Sequence, residues 1–286
     1  MLKIAVRALE DSALKTLSAI QLNIDNSADY PARVAKAKSE WDTKTSTIAK
    51  KDAFKVVRET LAKMCIGSVR CAYCEDSLAD EVEHILPKNL FPEHAFVWVN
   101  YLFACGPCNG PKSNRYGVLS GGIIDEFVRS RNDAVVPPAA GASGFINPRI
   151  EDPFEFLELD LGGVTPDGVS IEGTFDILPL DTLGVDDLAR AKFTIDVLGL
   201  NREAIRAARK NAFGGFRARM REYVTSKENG SSANELARLQ ADLLKTPHLS
   251  VFEDLRRQQR LLPDLFDLFT RAPEMLHWAV VPDTGA

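Results

Sequence analysis

Of the five cysteines in the sequence, four form two C-x-x-C pairs, Cys71-Ala-Tyr-Cys74 and Cys105-Gly-Pro-Cys108. Four thiolates complete the tetrahedral shell of a structural zinc ion and leave no open position for a substrate. The 30 residues between the pairs exceed the roughly 15–20 of a common zinc ribbon, so the two halves of the staple enclose further chain. Cys65 stands alone on an apolar helical pattern and reads as a packing residue, not a fifth ligand. Inside the gap lie Glu83-His84-Ile85-Leu86-Pro87-Lys88 and Asn100, and after the last cysteine come Asn109 and Lys112. A lone histidine on an apolar strand is ordinarily a satisfied core residue. Here a carboxylate, two asparagines and two lysines share its frame. Hydrolysis of a phosphodiester with one divalent cation needs a base for water, a carboxylate and a second oxygen ligand for a hard cation, and positive charge near the phosphate. Residues of each type are gathered in this one stapled segment.

The elements that must position these residues follow from periodicity. Residues 8–24 and 46–66 carry apolar residues at three- and four-residue spacing, which predicts amphipathic helices and a helical N-terminal region, 1–68. The motif region, 69–140, contains the strand-like EVEHILP and the Gly/Pro knuckle CGPCNGPKS. A Pro/Gly/Ala stretch over 134–144 reads as a loop or linker, placing a boundary near residue 140. Beyond it, FEFLELDLGGVTPDG and VSIEGTFDIL predict two short strands joined by a Gly-rich turn. Helices are then expected at 186–200, 201–224, 232–245, 250–261 and 263–278, with Asp186, Asn201 and Ser232 as cap residues for the first three. The fold class is α+β and mostly helical, with the zinc-stapled motif embedded in it and a C-terminal part, 141–286, that is a short β element followed by helices.

A composition of 45% hydrophobic and 26% charged residues is that of an ordinary globular chain and argues against disorder. The N-terminus lacks the continuous apolar stretch of a secretory signal and no run reaches a membrane span, so a cytoplasmic location is the expectation. A net charge of −5 argues against a general DNA coat, but the distribution is uneven. Ten Lys or Arg stand against four acids over Arg33–Arg70, and seven against one over Arg202–Arg221, whereas Arg149–Arg190 holds eleven acids and two basic residues. Arg206, Arg209 and Lys210 in the second basic stretch are candidates for tracking a phosphate backbone, with a solvated helix face as the competing explanation.

The strings CAYC, EVEHILPKN and VNYLFACGPCNGPKSN resemble the zinc-flanked HNH, or ββα-metal, nuclease motif over about residues 69–116. The resemblance implies that His84 is the general base, that Glu83 and Asn109 bind a catalytic Mg²⁺ or Mn²⁺, and that Asn100 buttresses the loop and orients the histidine. It places Lys112 near a phosphate at the start of the motif helix, where free N–H groups also favour an anion, with Lys88 as a second phosphate contact. Glu83 stands where Asp is more frequent and Asn109 where the final His is usual; both are competent oxygen ligands for a hard cation. His94 reads as a surface or packing residue, and His248 and His277 lie far from the motif in sequence.

A looser similarity extends downstream, through Asn147-Pro148, Asp152-Pro153 and the stretch from Thr194-Ile195 to Leu200-Asn201-Arg202, to HNH proteins of bacterial anti-phage operons, the PtuB family of Septu systems and its retron-associated relatives. That resemblance implies DNA as substrate and an SMC-like ATPase, PtuA, as working partner. Two other readings stay open: a zinc-stabilised module that binds nucleic acid or protein without chemistry, and a degenerate HNH fold serving as a structural subunit. A RING-like protein would need a second ligand set, and no further Cys/His cluster supplies one.

Overall fold

Three helices, α1 (Asp11–Asp25), α2 (Tyr30–Asp42) and α3 (Ile48–Met64), form the N-terminal region of the computed structural model, which describes residues 1–280. The apolar stripe of α1 (Leu17, Ile20, Ile24) packs on that of α3 (Phe54, Val57, Leu61), as the periodicity predicts. Helix α2 buries only Ala37, which is why no apolar stripe marks it in the sequence. Its start is set by Asp29, whose side chain accepts from the Ala32 N–H at 2.8 Å, with Pro31 in the first turn.

After α3 the chain makes a knuckle around Cys71 and Cys74, then runs into β1 (Glu81–His84), which pairs antiparallel with β2 (Tyr101–Ala104). The pairing sets Glu81 opposite Ala104 and His84 opposite Tyr101. Directly after β2 comes the short helix α4 (Gly106–Lys112). A hairpin follows, β3 (Gly117–Ser120) and β4 (Ile123–Glu126), turning on Gly121 and Gly122. Both glycines have positive φ, +56° and +77°, the requirement of the two-residue turn that matches strand twist.

The expected pair of strands beyond the 134–144 loop becomes four: β5 (Leu157–Leu159), β6 (Gly162–Val164), β7 (Ser170–Glu172) and β8 (Ile177–Pro179). They form a nested hairpin in which β5 pairs with β8 and β6 with β7. The break between the inner and outer pairs has a local cause. Asp160 accepts from the Gly162 N–H through one oxygen and from Thr174 N–H and Oγ1–H through the other, and Gly162 sits at φ +69°.

The C-terminal half is helical: α5 (Val185–Leu198), α6 (Glu203–Glu228), α7 (Ala233–Leu244), α8 (Leu249–Arg257) and α9 (Pro263–Arg271). The stretch expected to run to residue 278 stops at Arg271, and Pro273 opens a tighter 3-10 turn. Of the three expected caps only Ser232 serves, accepting from Glu235 N–H. Asp186 instead accepts from Gly122 N–H at 2.7 Å, tying α5 to the β3–β4 turn. Asn201 bonds both backbone groups of Ile177, tying the start of α6 to β8. In each case a tertiary backbone donor outcompetes the local one.

One cluster of buried apolar side chains runs from Met1 to Val280 and takes in all four motif cysteines. Among the described residues no helix is long and apolar enough to cross a membrane.

Candidate active site and metal centre

The first knuckle is shaped by backbone bonds from Cys71 N–H to Ser77 and from Glu75 N–H to Cys71, with Glu75 at φ +62°. Ala72 N–H donates to Phe103, so the knuckle lies against β2. Cys105 precedes α4 and Cys108 lies in its first turn, with Cys108 N–H donating to the Cys105 carbonyl. The four sulfurs are buried and all within 4.8 Å of one another, and Cys74 and Cys105 are 3.8 Å apart. Sulfurs at tetrahedral corners with Zn–S bonds of about 2.3 Å lie roughly 3.8 Å apart, so the donor set fits that ion. Hydrogen bonds among the four thiols push Cys74 and Cys105 down and hold Cys71 and Cys108 up. Shared protons of this kind are what a divalent cation displaces when all four ionise. Arg202 approaches from the start of α6, its guanidinium 3.4 Å from Cys108 Sγ and bonded to the Pro107 carbonyl. Cys65 donates to the Leu61 and Arg70 carbonyls and stands outside the cluster.

His84 ends β1 and is 5% exposed. Its Nε2 lies 2.9 Å from the Ala95 carbonyl, which also accepts from Tyr101 Oη–H. A carbonyl only accepts, so Nε2 carries the hydrogen and Nδ1 keeps its lone pair. Nδ1 has no hydrogen-bond partner among the described residues, and His84 lines a polar cleft. Burial, then the charge of Lys88, pushes the imidazole down to about 3, against the hydrogen bond to Ala95. The ring is therefore neutral at pH 7. Trp41 of α2 packs edge-on against it, ring centroids 4.2 Å apart.

The loop from Ile85 to Asn100 carries the Ala95 carbonyl, and it is braced from several sides. Asn100 accepts from Leu86 N–H at 2.8 Å and donates to the Leu86 and His94 carbonyls. Gln21 of α1 accepts from Phe96 N–H and donates to the Pro92 carbonyl. Tyr30 donates to the Leu90 carbonyl. Arg149, 3% exposed, donates to the Trp98 and Tyr101 carbonyls. Asn100 thus touches the loop's backbone and bears on His84 only through it.

The cleft, about 330 Å³, is lined by Trp41, Glu81, Glu83, His84, Lys88 and Asn109 among others. It brings together four of the residues that the motif singles out. Lys88 is half-buried, with its ammonium 5.6 Å from the Trp41 ring, and Lys44 lies 4.8 Å from the same ring. Asn109 donates to Glu81 at 2.6 Å.

Two expected phosphate contacts are corrected. Lys112 is the last residue of α4, not near its start, and is 1% exposed. Its ammonium lies 2.5 Å from Glu83 and donates to the His84 carbonyl, so it is an internal counter-ion. Burial pushes the Glu83 carboxyl up, and the Lys112 charge opposes that. Arg209 is 2% exposed and donates to the Phe175 carbonyl from inside the protein. Arg206 and Lys210 are at the surface, paired with Asp176 and Glu172. Removing the Lys112 charge leaves Glu83 buried and uncompensated, so Lys112→Met should cost about 3–5 kcal/mol of stability in denaturant unfolding. Adding Glu83→Gln should recover much of that loss; a Lys112→Met protein as stable as the wild type would contradict the counter-ion role.

Trp41, Glu81, Gln21 and Arg149 carry no motif signature. Trp41 lies among basic residues on a helix without an apolar stripe, and Arg149 reaches the site from beyond the 134–144 loop. His248, remote in sequence, lies 3.3 Å from Asp76 on the first knuckle, while His94 contributes its carbonyl to Asn100.

No protein-family model matches the chain. Over 57 residues it is 40% identical to the Septu protein PtuB of Bacillus thuringiensis, a match covering 18% of this chain and 22% of that protein. The chain therefore spans about a fifth of the length of the curated relative it matches.

Proposed function

We propose that the protein is a metal-dependent nuclease of the HNH type that hydrolyses phosphodiester bonds in DNA. The observation that carries this reading is the neutral His84, held through Nε2, on the wall of a polar cleft that also holds Glu83, Asn109 and Lys88. In this reading His84 Nδ1 takes a proton from the water that attacks phosphorus in line with the departing 3′ oxygen. Ala95 holds the ring's other nitrogen, and Asn100 holds the loop that bears Ala95. Glu83 and Asn109 would hold a Mg²⁺ or Mn²⁺ ion, since both offer the oxygen donors a hard cation takes, and that ion supplies charge neutralisation at the phosphate and leaving oxygen. Lys88 adds positive charge at the cleft wall and Lys44 adds it beside Trp41, a role that Lys112 and Arg209 are too buried to fill. Zn²⁺ in the four-cysteine frame is scaffold in this scheme.

The partial likeness to a Septu protein supports a place in anti-phage defence, in the cytoplasm and beside an SMC-like ATPase of the PtuA kind. One observation favours a non-catalytic zinc-stabilised binding subunit as the second reading: the Glu83 carboxylate is already neutralised by Lys112. The two readings separate on plasmid DNA. With Mg²⁺ or Mn²⁺, alone or with the ATPase partner, the protein should cut, and replacing Lys44 and Lys88 with alanine should weaken binding and flatten its salt dependence by up to about two counterions. Zinc-loaded protein that binds DNA yet never cuts under any of these conditions would favour the second reading.

A further inference from the structure

Strand β1 alternates its side chains, so Glu81 and Glu83 project on the same side. Helix α4 begins above Glu81 at Gly106, where a Cβ would stand 3.3 Å from Glu81 Oε1. Asn109 lies one helical turn further on and donates from Nδ2 to Glu81 Oε2 at 2.6 Å. A primary amide has two chemically different ends of nearly the same shape. Only the oxygen end suits a hard cation, and the NH₂ end would turn its hydrogens toward the charge.

We propose that Glu81 is a positioning residue that fixes the Asn109 amide with its NH₂ on the Glu81 carboxylate and its Oδ1 turned to the cleft as a divalent-cation ligand. This rests on reading Glu83 and Asn109 as the cation's ligands. A carboxylate accepts and never donates in its ionised form, so the contact admits one orientation of the amide and excludes the other. Glu81 acts on the cation through Asn109, in the way that outer residues orient metal-binding imidazoles, where their loss costs 10- to 100-fold in affinity. Among the described residues, Asn109 Oδ1 accepts no hydrogen bond, so nothing else there holds the amide.

The test is Mn²⁺ binding to zinc-loaded, full-length protein, read by electron paramagnetic resonance of free Mn²⁺. Glu81→Gln keeps shape and removes the one-way acceptor, because its own amide can meet Asn109 in either orientation; it should weaken Mn²⁺ by about tenfold or more. Adding Asn109→Asp should bring affinity back to within about threefold of the wild type, since a carboxylate offers oxygen at both ends and needs no orienting. A purely structural Glu81 predicts no such rescue. Glu81→Gln binding like the wild type, or a loss that Asn109→Asp does not repair, overturns the role of Glu81. If Glu83→Gln abolishes Mn²⁺ binding while Glu81→Gln does not, the ligand assignment stands and only the positioning role falls. Wild-type protein that holds no Mn²⁺, or holds it equally after Glu83→Gln, removes both.

Discussion

Replacing His84 with alanine is expected to lower the rate of phosphodiester cleavage by about 10²- to 10⁴-fold, the usual contribution of a positioned base. Zinc content and DNA affinity should stay close to those of the wild type. The expectation follows from the tautomer: with Nε2 committed to Ala95, the free lone pair is on Nδ1 of a residue that lines the cleft. Glu83 is engaged by Lys112, Glu81 by Asn109, and the His94, His248 and His277 rings are not among the cleft's lining residues, so no free imidazole or carboxylate stands ready there to replace it. Cleavage by His84→Ala within a few-fold of the wild type would end the assignment. The same burial has a stability consequence. Because the imidazole is held at about 3 in the fold and titrates at about 6.5 when the chain is unfolded, the unfolded chain binds a proton that the folded one does not between those values. Its contribution to stability is whole above about pH 6.5 and drains as the pH falls toward 3. Melting temperature should therefore fall more steeply across that window in the wild type than in His84→Ala.

Stripping zinc, or replacing Cys108 with serine, is expected to unfold the motif. Structural zinc sites contribute on the order of 10–16 kcal/mol of apparent binding energy, comparable with the whole stability of a typical domain. The four sulfurs are buried within the continuous core, so the loss cannot be confined to the knuckles. One zinc per chain by elemental analysis, and loss of near-ultraviolet circular dichroism together with cleavage on chelation, are the expected results. A Cys108→Ser protein with wild-type melting and activity would contradict the staple. Arg202 should matter here to a lesser degree, because it places a positive charge against the thiolate of Cys108.

The four-cysteine frame and the strand bearing His84 were legible because their signals are local: paired spacing for the metal, an apolar run for the strand. Direction was harder to read. Lys112 advertises a charge, but the sequence does not say that the last residue of a seven-residue helix turns inward beneath β1. Arg209 did carry a usable sign. It falls four residues after Ile205 and seven before Phe216, on the buried stripe of α6, and a charged residue at such a position belongs to the interior network, not to a phosphate rail. Trp41 and Arg149 could not be found from spacing, since each meets the site only through tertiary contact. A rule about adjacent N–H groups marks Asp186 and Asn201 as caps, and the fold offers both a better-placed donor elsewhere.

The loop that carries Ala95 takes its bracing from Gln21, Tyr30, Asn100 and Arg149, which span well over a hundred positions of the chain. During synthesis the first three leave the ribosome before the fourth, so the loop against His84 cannot be fully braced while its own strand and helix are newly made. Late closure of this kind leaves the cleft around His84 unassembled until the region that follows the motif has joined it.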